Sequence, residues 1–242
     1  GPSDGDIAAA CVSSNDVISG FPSGSETCES AVPRVYAPQQ SEVRRRFAGK
    51  RFAEVFSGVG HLAKAFAREG IEAEAWDILH GADADFLNPV VVERFKGRIK
   101  AGVYVAISFG LPCISWSRAR RHDGKGPPPL RDDHENLMGF AGLSKKDQKK
   151  VDEGNMMAAI VCELIELCVE HNVIVYLENP RKSRVWLYEP LRKLAKKLKA
   201  KWNLVDYCQY NQQWLKPTTF LTFGGPWLGL KRCTGKNGLC SC

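Results

Sequence analysis

The sequence predicts an α/β fold built on a doubly wound, mostly parallel sheet that ends in an antiparallel hairpin. Three observations carry that expectation. From Arg51 onward, short apolar runs alternate with segments of helical periodicity, the pattern of repeated strand–helix–strand units. One run leads through Phe56-Ser57-Gly58-Val59-Gly60 into a helical segment, a glycine turn of the kind that lets a ligand approach the backbone. Two later runs end in reactive side chains, Pro112-Cys113 and Glu178-Asn179, and in open α/β sheets chemistry collects beyond the carboxyl ends of strands.

The elements follow in order. Residues 1–38 are rich in Ser, Gly, Pro and Asp without sustained periodicity, and are expected to form a flexible leader. Gly1-Pro2 in place of an initiator Met reads as the scar of a protease cut, so further domains or a partner supplying target recognition are expected. A short basic helix is expected over 41–50. The alternation then gives a strand at 52–56, a helix at 61–69 and a second strand ending at Trp76-Asp77. Asn88-Pro89 opens a helix to Lys100, with Asn88 suited to the cap and Pro89 to the first turn. A strand at 103–107 runs into a long polar connection, 110–152, which contains Gly124-Lys125-Gly126-Pro127-Pro128-Pro129. Connections of that length inside a compact domain are usually functional or disordered. Helix 155–170, strand 173–178, helix 188–200 and strands 202–209 and 217–223 complete the set. The short 209–216 link makes the last two strands a hairpin. One domain therefore spans 39–225, and residues 226–242 form a cysteine-containing tail.

Composition narrows the classes. The chain has 242 residues and a formal charge of +7, a modest pointer to a polyanionic partner. No uninterrupted apolar window of about 18 residues is present, so no membrane-spanning helix is expected. The charge is clustered in Arg44-Arg45-Arg46, in Arg118, Arg120 and Arg121, and along 181–201. The last run reads equally as a solvated helix face, whereas the arginines beside Cys113 read as phosphate contacts. The nine cysteines show no small-scaffold disulfide pattern, which fits a reducing, intracellular location, nuclear in a eukaryote. Cys162 and Cys168 fall on an apolar helix and read as core thiols. Cys233, Cys240 and Cys242, with Cys208, are zinc candidates only. Their spacing fits no common zinc module, so no metal is assigned.

The ordered trio of Phe56 to Gly60, Pro112-Cys113 and Glu178-Asn179 resembles the C5-cytosine methyltransferases over roughly residues 50–223. The resemblance implies a Rossmann-like S-adenosylmethionine (SAM)-dependent methyltransferase fold. It also implies methyl transfer from SAM to carbon 5 of cytosine in DNA, leaving S-adenosylhomocysteine. On that reading Phe56, Ser57, Gly58, Val59 and Gly60 cradle the cofactor. Asp77 takes the ribose hydroxyls, Trp76 offers a face to adenine, and Asp85 with Phe86 meets the adenine amine. Pro112 and Asn155 complete the cofactor side, Asn155 bracing the nucleophile loop. Cys113 is the nucleophile at C6, Glu178 the acid at N3, and Lys216 the cation near the base. Ser115, Ser117, Arg118, Arg120 and Arg121 grip nucleic acid. Three departures stand out. Ala75 replaces the usual ribose acid, His61 replaces a common glycine, and Thr218 stands where a second arginine is expected. No target-recognition domain is evident. RNA is the nearest alternative substrate, and a catalytically impaired SAM- or nucleic-acid-binding module is the alternative class.

Overall fold

Largely buried central strands, with helices on both faces, set the architecture. The computed structural model describes residues 34–36, 48–121, 123–124, 126–235 and 240. Its strands are β1 (Arg34–Tyr36), β2 (Arg51–Val55), β3 (Glu72–Trp76), β4 (Tyr104–Gly110), β5 (Ile174–Pro180), β6 (Lys201–Asp206) and β7 (Pro217–Phe223). They form one mixed sheet in the order β1-β3-β2-β4-β5-β7-β6. The four central strands, β3, β2, β4 and β5, are parallel, while β1, β7 and β6 pair antiparallel with their neighbours. Helix α1 (His61–Arg68) packs with Phe52, Ala73 and Ala106 on one face. Helices α2 (Pro89–Lys100), α3 (Lys145–Glu170) and α4 (Glu189–Lys197) cover the other, around Phe95, Phe109, Leu164, Leu177 and Phe223.

The chain leaves β2 toward β3 on one side and returns across β2 to β4 on the other. The order therefore reverses between the carboxyl ends of β2 and β4, where doubly wound sheets open a ligand crevice. A carboxylate is fully buried inside this sheet, that of Glu74 on β3. Its carboxylate receives Arg51 (2.7 Å), the Tyr104 hydroxyl (2.7 Å), Trp76 Nε1 (3.1 Å) and Arg98. A carboxylate so thoroughly bonded is tolerated in a strand that must otherwise be apolar.

Several expected boundaries move. Residues 34–36, assigned to the leader, are strand β1, in register Arg34↔Ala75 against the open edge of β3. Most of the basic helix expected at 41–50 lies outside the described residues. Helix α3 begins at Lys145 rather than 155, because Ser144 Oγ accepts the Asp147 N–H (3.2 Å) and caps a polar first turn. The Asn88 cap is as expected, its side chain accepting the Val90 N–H at 3.0 Å. The terminal hairpin is present, with Lys201↔Thr222 to Asp206↔Pro217, and β7 lies between β5 and β6.

Candidate active site

The glycine turn after β2 is built by backbone conformation. Phe56, Gly58 and Gly60 all take positive φ (56°, 53° and 72°), a conformation glycine adopts readily and phenylalanine pays strain to reach. The turn is tied to the end of β3: Ser57 N donates to the Trp76 carbonyl (3.2 Å) and Gly58 N to Asp77 Oδ2 (2.8 Å). The other Asp77 oxygen accepts Leu79 N at 3.0 Å. Glu54 stands beneath, accepting the Ala63 N–H (2.7 Å) at the start of α1. Burial pushes the Glu54 carboxyl up from its ordinary range. The amides of Ala63 and Leu62 oppose that shift, and Asp77 and Glu178 add repulsion. Ser57 Oγ is buried without a hydrogen-bond partner among the described residues, a polar atom at the floor of the turn.

Cys113, three residues past β4, and Glu178 on β5 belong to the carboxyl ends of adjacent strands. Gly110 and Glu178 are register partners at the ends of β4 and β5. A Cβ at 110 would stand 3.1 Å from the Phe56 carbonyl oxygen and 3.8 Å from Glu178 Oε2, so the ends of β2, β4 and β5 converge on this glycine. Asn179 Nδ2 donates to the Leu111 carbonyl (2.6 Å), fastening the Leu111-Pro112-Cys113 turn to β5. Cys113 is partly exposed, and its carbonyl accepts Ser117 N at 2.7 Å to close the turn. The Glu178 side chain is 23% exposed and faces Lys216 Nζ at 3.9 Å. Burial raises its pKa, with Lys216 pulling the other way. Lys216 Nζ also lies 4.7 Å above the Tyr207 ring. Tyr207 was not foreseen, since an aromatic residue just past a strand carries no signature. Burial, Glu178 and Glu54 all hold its hydroxyl protonated, and it shares a hydrogen bond with Thr218. Thr218 is fully buried and also donates to the Lys216 carbonyl (3.1 Å), so no cation replaces the expected second arginine at that position.

The loop carrying Cys113 is organised by a residue that sequence reasoning passed over. Arg131 is 0% exposed, with its guanidinium 3.6 Å from the Trp116 ring centre. It donates to the Ser115 carbonyl (3.0 Å), Ser115 Oγ (2.8 Å), the Leu137 carbonyl (2.8 Å) and Asn155 Oδ1 (2.8 Å). Burial and the nearby Arg184 lower its pKa to about 10. Arginine in a Pro-rich polar segment reads as solvated, and only the fold makes it a hub. A second clamp is Asp133, which receives both Arg118 and Arg184 (2.9 Å to the latter). Arg184 also donates to the Ser117 carbonyl at 3.1 Å.

Several site expectations are corrected. Trp76 is 1% exposed and packs edge-on against Phe86 and Phe95, so its face is unavailable to adenine. Phe86 is equally buried in that cluster. Exposed apolar side chains at this end of the sheet include Val59, Ile78 and Leu79, Ile78 being 61% exposed beside Asp77. Asp85 caps its own turn, accepting Leu87 N at 2.9 Å. Ser115 and Ser117 are buried and hold the loop together, Ser117 Oγ accepting Ala119 N (3.0 Å), so they do not face a nucleic acid. The Arg120 side chain is 11% exposed and donates to the Pro128 carbonyl (2.8 Å). Arg118 donates to the Lys182 carbonyl (2.8 Å) besides pairing with Asp133. Arg121 remains at the surface, 4.0 Å from Asp123. Asn155 sits inside α3, not at its start. It braces the loop through Arg131 and the Met138 carbonyl (2.9 Å). The basic face of α4 is exposed, with Lys193 paired to Glu189 (2.8 Å) and Lys197 to Glu166.

In the C-terminal tail, the sulfurs of Cys208, Cys233 and Cys240 lie within 4.8 Å of one another. Cys242 lies outside the described residues. An open groove of about 570 Å³ between Leu87 and the first turns of α3 shares no residue with the Cys113–Glu178 constellation. No family model matches this chain, and no curated protein matches its sequence.

Proposed function

We propose that the chain is a SAM-dependent methyltransferase acting on carbon 5 of cytosine in DNA, with Cys113 as nucleophile. One observation carries the reading: the Cys113 turn and Glu178 lie at the ends of the adjacent strands β4 and β5, next to the glycine turn of β2 across the point where the strand order reverses. The residues present fit the cofactor. Ser57 Oγ is a buried polar atom without a hydrogen-bond partner among the described residues, Gly58 and Gly60 leave two positions of the turn without side chains, and Asp77 follows β3 with lone pairs beyond its two amide bonds. Ser57 to Gly60 and Asp77 would hold it, with Val59 and Ile78 as apolar cover. Bound there, SAM supplies an electrophilic methyl group.

The chain's own residues prepare the base. Cytosine C5 is a weak nucleophile until the ring is made electron-rich. The Cys113 thiolate adds to C6, forming an S–C bond, while Glu178 delivers a proton to N3. A carboxyl whose pKa burial has raised keeps that proton to a higher pH than an exposed glutamate does. Lys216, beside Glu178, steadies the charge that returns to the carboxylate. Methylation of C5 would release S-adenosylhomocysteine; C5 then gives its proton to solvent water, the electron pair left behind expels the thiolate from C6, and Glu178 recovers the proton from N3. Asn179 keeps the Cys113 turn in register with Glu178 throughout.

The test is transfer of labelled methyl from SAM to duplex DNA, single-stranded DNA and RNA, with Cys113→Ala beside the wild type. A 5-fluorocytosine oligonucleotide is included to trap the adduct, because fluorine cannot leave C5 as a proton does. Label in DNA that disappears in Cys113→Ala, with a trapped adduct of the wild type, is the expected result. Label in RNA alone would reassign the substrate. No label and no adduct on any nucleic acid would overturn the catalytic reading in favour of a binding module.

A further inference from the structure

We infer that Cys208, Cys233 and Cys240 bind a zinc ion that pins the C-terminal tail to the segment bearing Tyr207 and Lys216. Two sulfurs about 2.3 Å from one tetrahedral ion stand about 3.8 Å apart. Cys233 and Cys240 are 3.6 Å apart, and all three sulfurs fall within 4.8 Å. A disulfide would require about 2.05 Å. The three residues are distant in sequence and reach one spot from different directions. Cys208 lies in the short turn after β6, Cys233 in the tail running back along that strand, and Cys240 beyond it.

The approach of the tail is fixed by bonds that owe nothing to a metal. Leu228 N donates to Asn203 Oδ1 (2.8 Å), Lys231 N to the Tyr210 hydroxyl (2.9 Å) and Cys233 N to Asp206 Oδ2 (2.9 Å). Asp206 N returns a bond to the Lys231 carbonyl (3.1 Å), and Asp206 is itself held by Arg181 (2.7 Å). The Cys208 sulfur accepts from Gln209 Nε2 at 3.7 Å, the outer-shell contact that stabilises a metal-bound thiolate. A cluster of soft thiolates selects zinc over the hard cations calcium and magnesium. Binding converts three thiols to thiolates and releases their protons to solvent.

The consequence reaches the active site. Cys208 is the neighbour of Tyr207, whose ring lies under Lys216 Nζ. A closed metal site at this point anchors the 207–216 link at its first turn. The metal claim does not depend on methyl transfer, and its test reads the metal directly.

The full chain is purified without chelators from zinc-supplemented medium and its metals are counted by mass spectrometry. About one zinc per chain is expected, falling below about a tenth in Cys233→Ser/Cys240→Ser. Because Cys240 is exposed, the single Cys240→Ser variant checks the same loss with little risk to folding. Cobalt loaded in place of zinc is expected to give an intense sulfur-to-cobalt charge-transfer band corresponding to three or four thiolates. Metal-free wild type, a Cys233–Cys240 disulfide under reducing purification, zinc retained in the double variant, or fewer than three thiolates on cobalt would each overturn the inference.

Discussion

Gly154 offers the sharpest test of how the Cys113 loop is held, because local and tertiary physics give it opposite signs. It lies inside α3, where replacing glycine by alanine ordinarily stabilises by about 1 kcal/mol. Here an alanine Cβ would stand 2.5 Å from Ser115 Oγ, 3.3 Å from Trp116 Nε1 and 3.5 Å from an Arg131 nitrogen. Ser115 Oγ must retreat by roughly an ångström to restore ordinary contact, and it then gives up its 2.8 Å bond from Arg131. A hydrogen bond to a charged group contributes about 1.5–3 kcal/mol, and overpacking a filled site costs about 1–3 kcal/mol. Set against the helical gain, Gly154→Ala is expected to destabilise by about 2–4 kcal/mol, a Tm loss of roughly 5–15 °C for a domain of this size. Urea unfolding followed by tryptophan fluorescence measures it. In a Ser115→Ala background the clash with Oγ is gone, so the same change is expected to cost at least about 1 kcal/mol less. Stabilisation by Gly154→Ala, or equal costs in the two backgrounds, would refute the packing account.

Two further outcomes follow from the same geometry. Arg131→Lys keeps the charge but loses the fork, leaving the carbonyls of Ser115 and Leu137 and Asn155 Oδ1 short of donors. A loss of about 3–5 kcal/mol and faster alkylation of Cys113 by iodoacetamide are expected, and unchanged alkylation would show that the loop does not rely on this hub. Glu178 has its native pKa raised above the ordinary 4.5, so the folded state binds the proton more tightly than the unfolded chain does. Stability is then greatest below pH 4.5 for this group, and its contribution is lost as pH rises through the raised value. Glu178→Gln is therefore expected to match the wild type near pH 4, exceed it in stability at pH 7 and lose methyl transfer. A constant stability difference across that range would sink the assignment.

How much was legible in the sequence depended on whether a signal was local. The strands β2, β4, β5 and β7 and the Asn88 cap were readable because apolar runs and cap chemistry act within a few residues. Strand β1 was not, since Arg34–Tyr36 is strand only by virtue of the β3 edge it pairs with. The first ten residues of α3 were missed because their face is polar and Gly154 reads as a break, although Ser144 and Asp147 are a capping pair. The glycine turn, Cys113 and Glu178 were singled out by their positions at strand ends and by the ordered motifs, and the fold brings those strand ends side by side. Trp76 was misjudged because alternation alone does not say which side of the sheet a terminal residue takes. In the fold its indole joins Phe86 and Phe95 and donates to Glu74. Arg131 and Tyr207 act through partners far along the chain, which no local pattern records.

The distribution of arginines shows what the Cys113 loop is built for. Of the three arginines expected to meet phosphate, Arg118 shares Asp133 with Arg184, Arg120 is largely buried against the Pro128 carbonyl, and Arg121 stays at the surface. Arg131 serves four groups of the loop and α3, with no carboxylate among the partners described. Each of these side chains donates to a carbonyl of the chain, and such bonds are formed at the expense of hydration. Breaking the bonds to the Ser115 and Ser117 carbonyls would leave those acceptors short of donors, at about 1–3 kcal/mol apiece, whereas the Lys182 and Pro128 carbonyls lie at the exposed surface. Buried Arg131, with Arg184, therefore fixes the Cys113 loop relative to Glu178. On the proposed function, attraction of nucleic acid falls to cations outside that network, the surface Arg121, Lys216 beside Glu178 and the exposed basic face of α4, whose contributions salt screens.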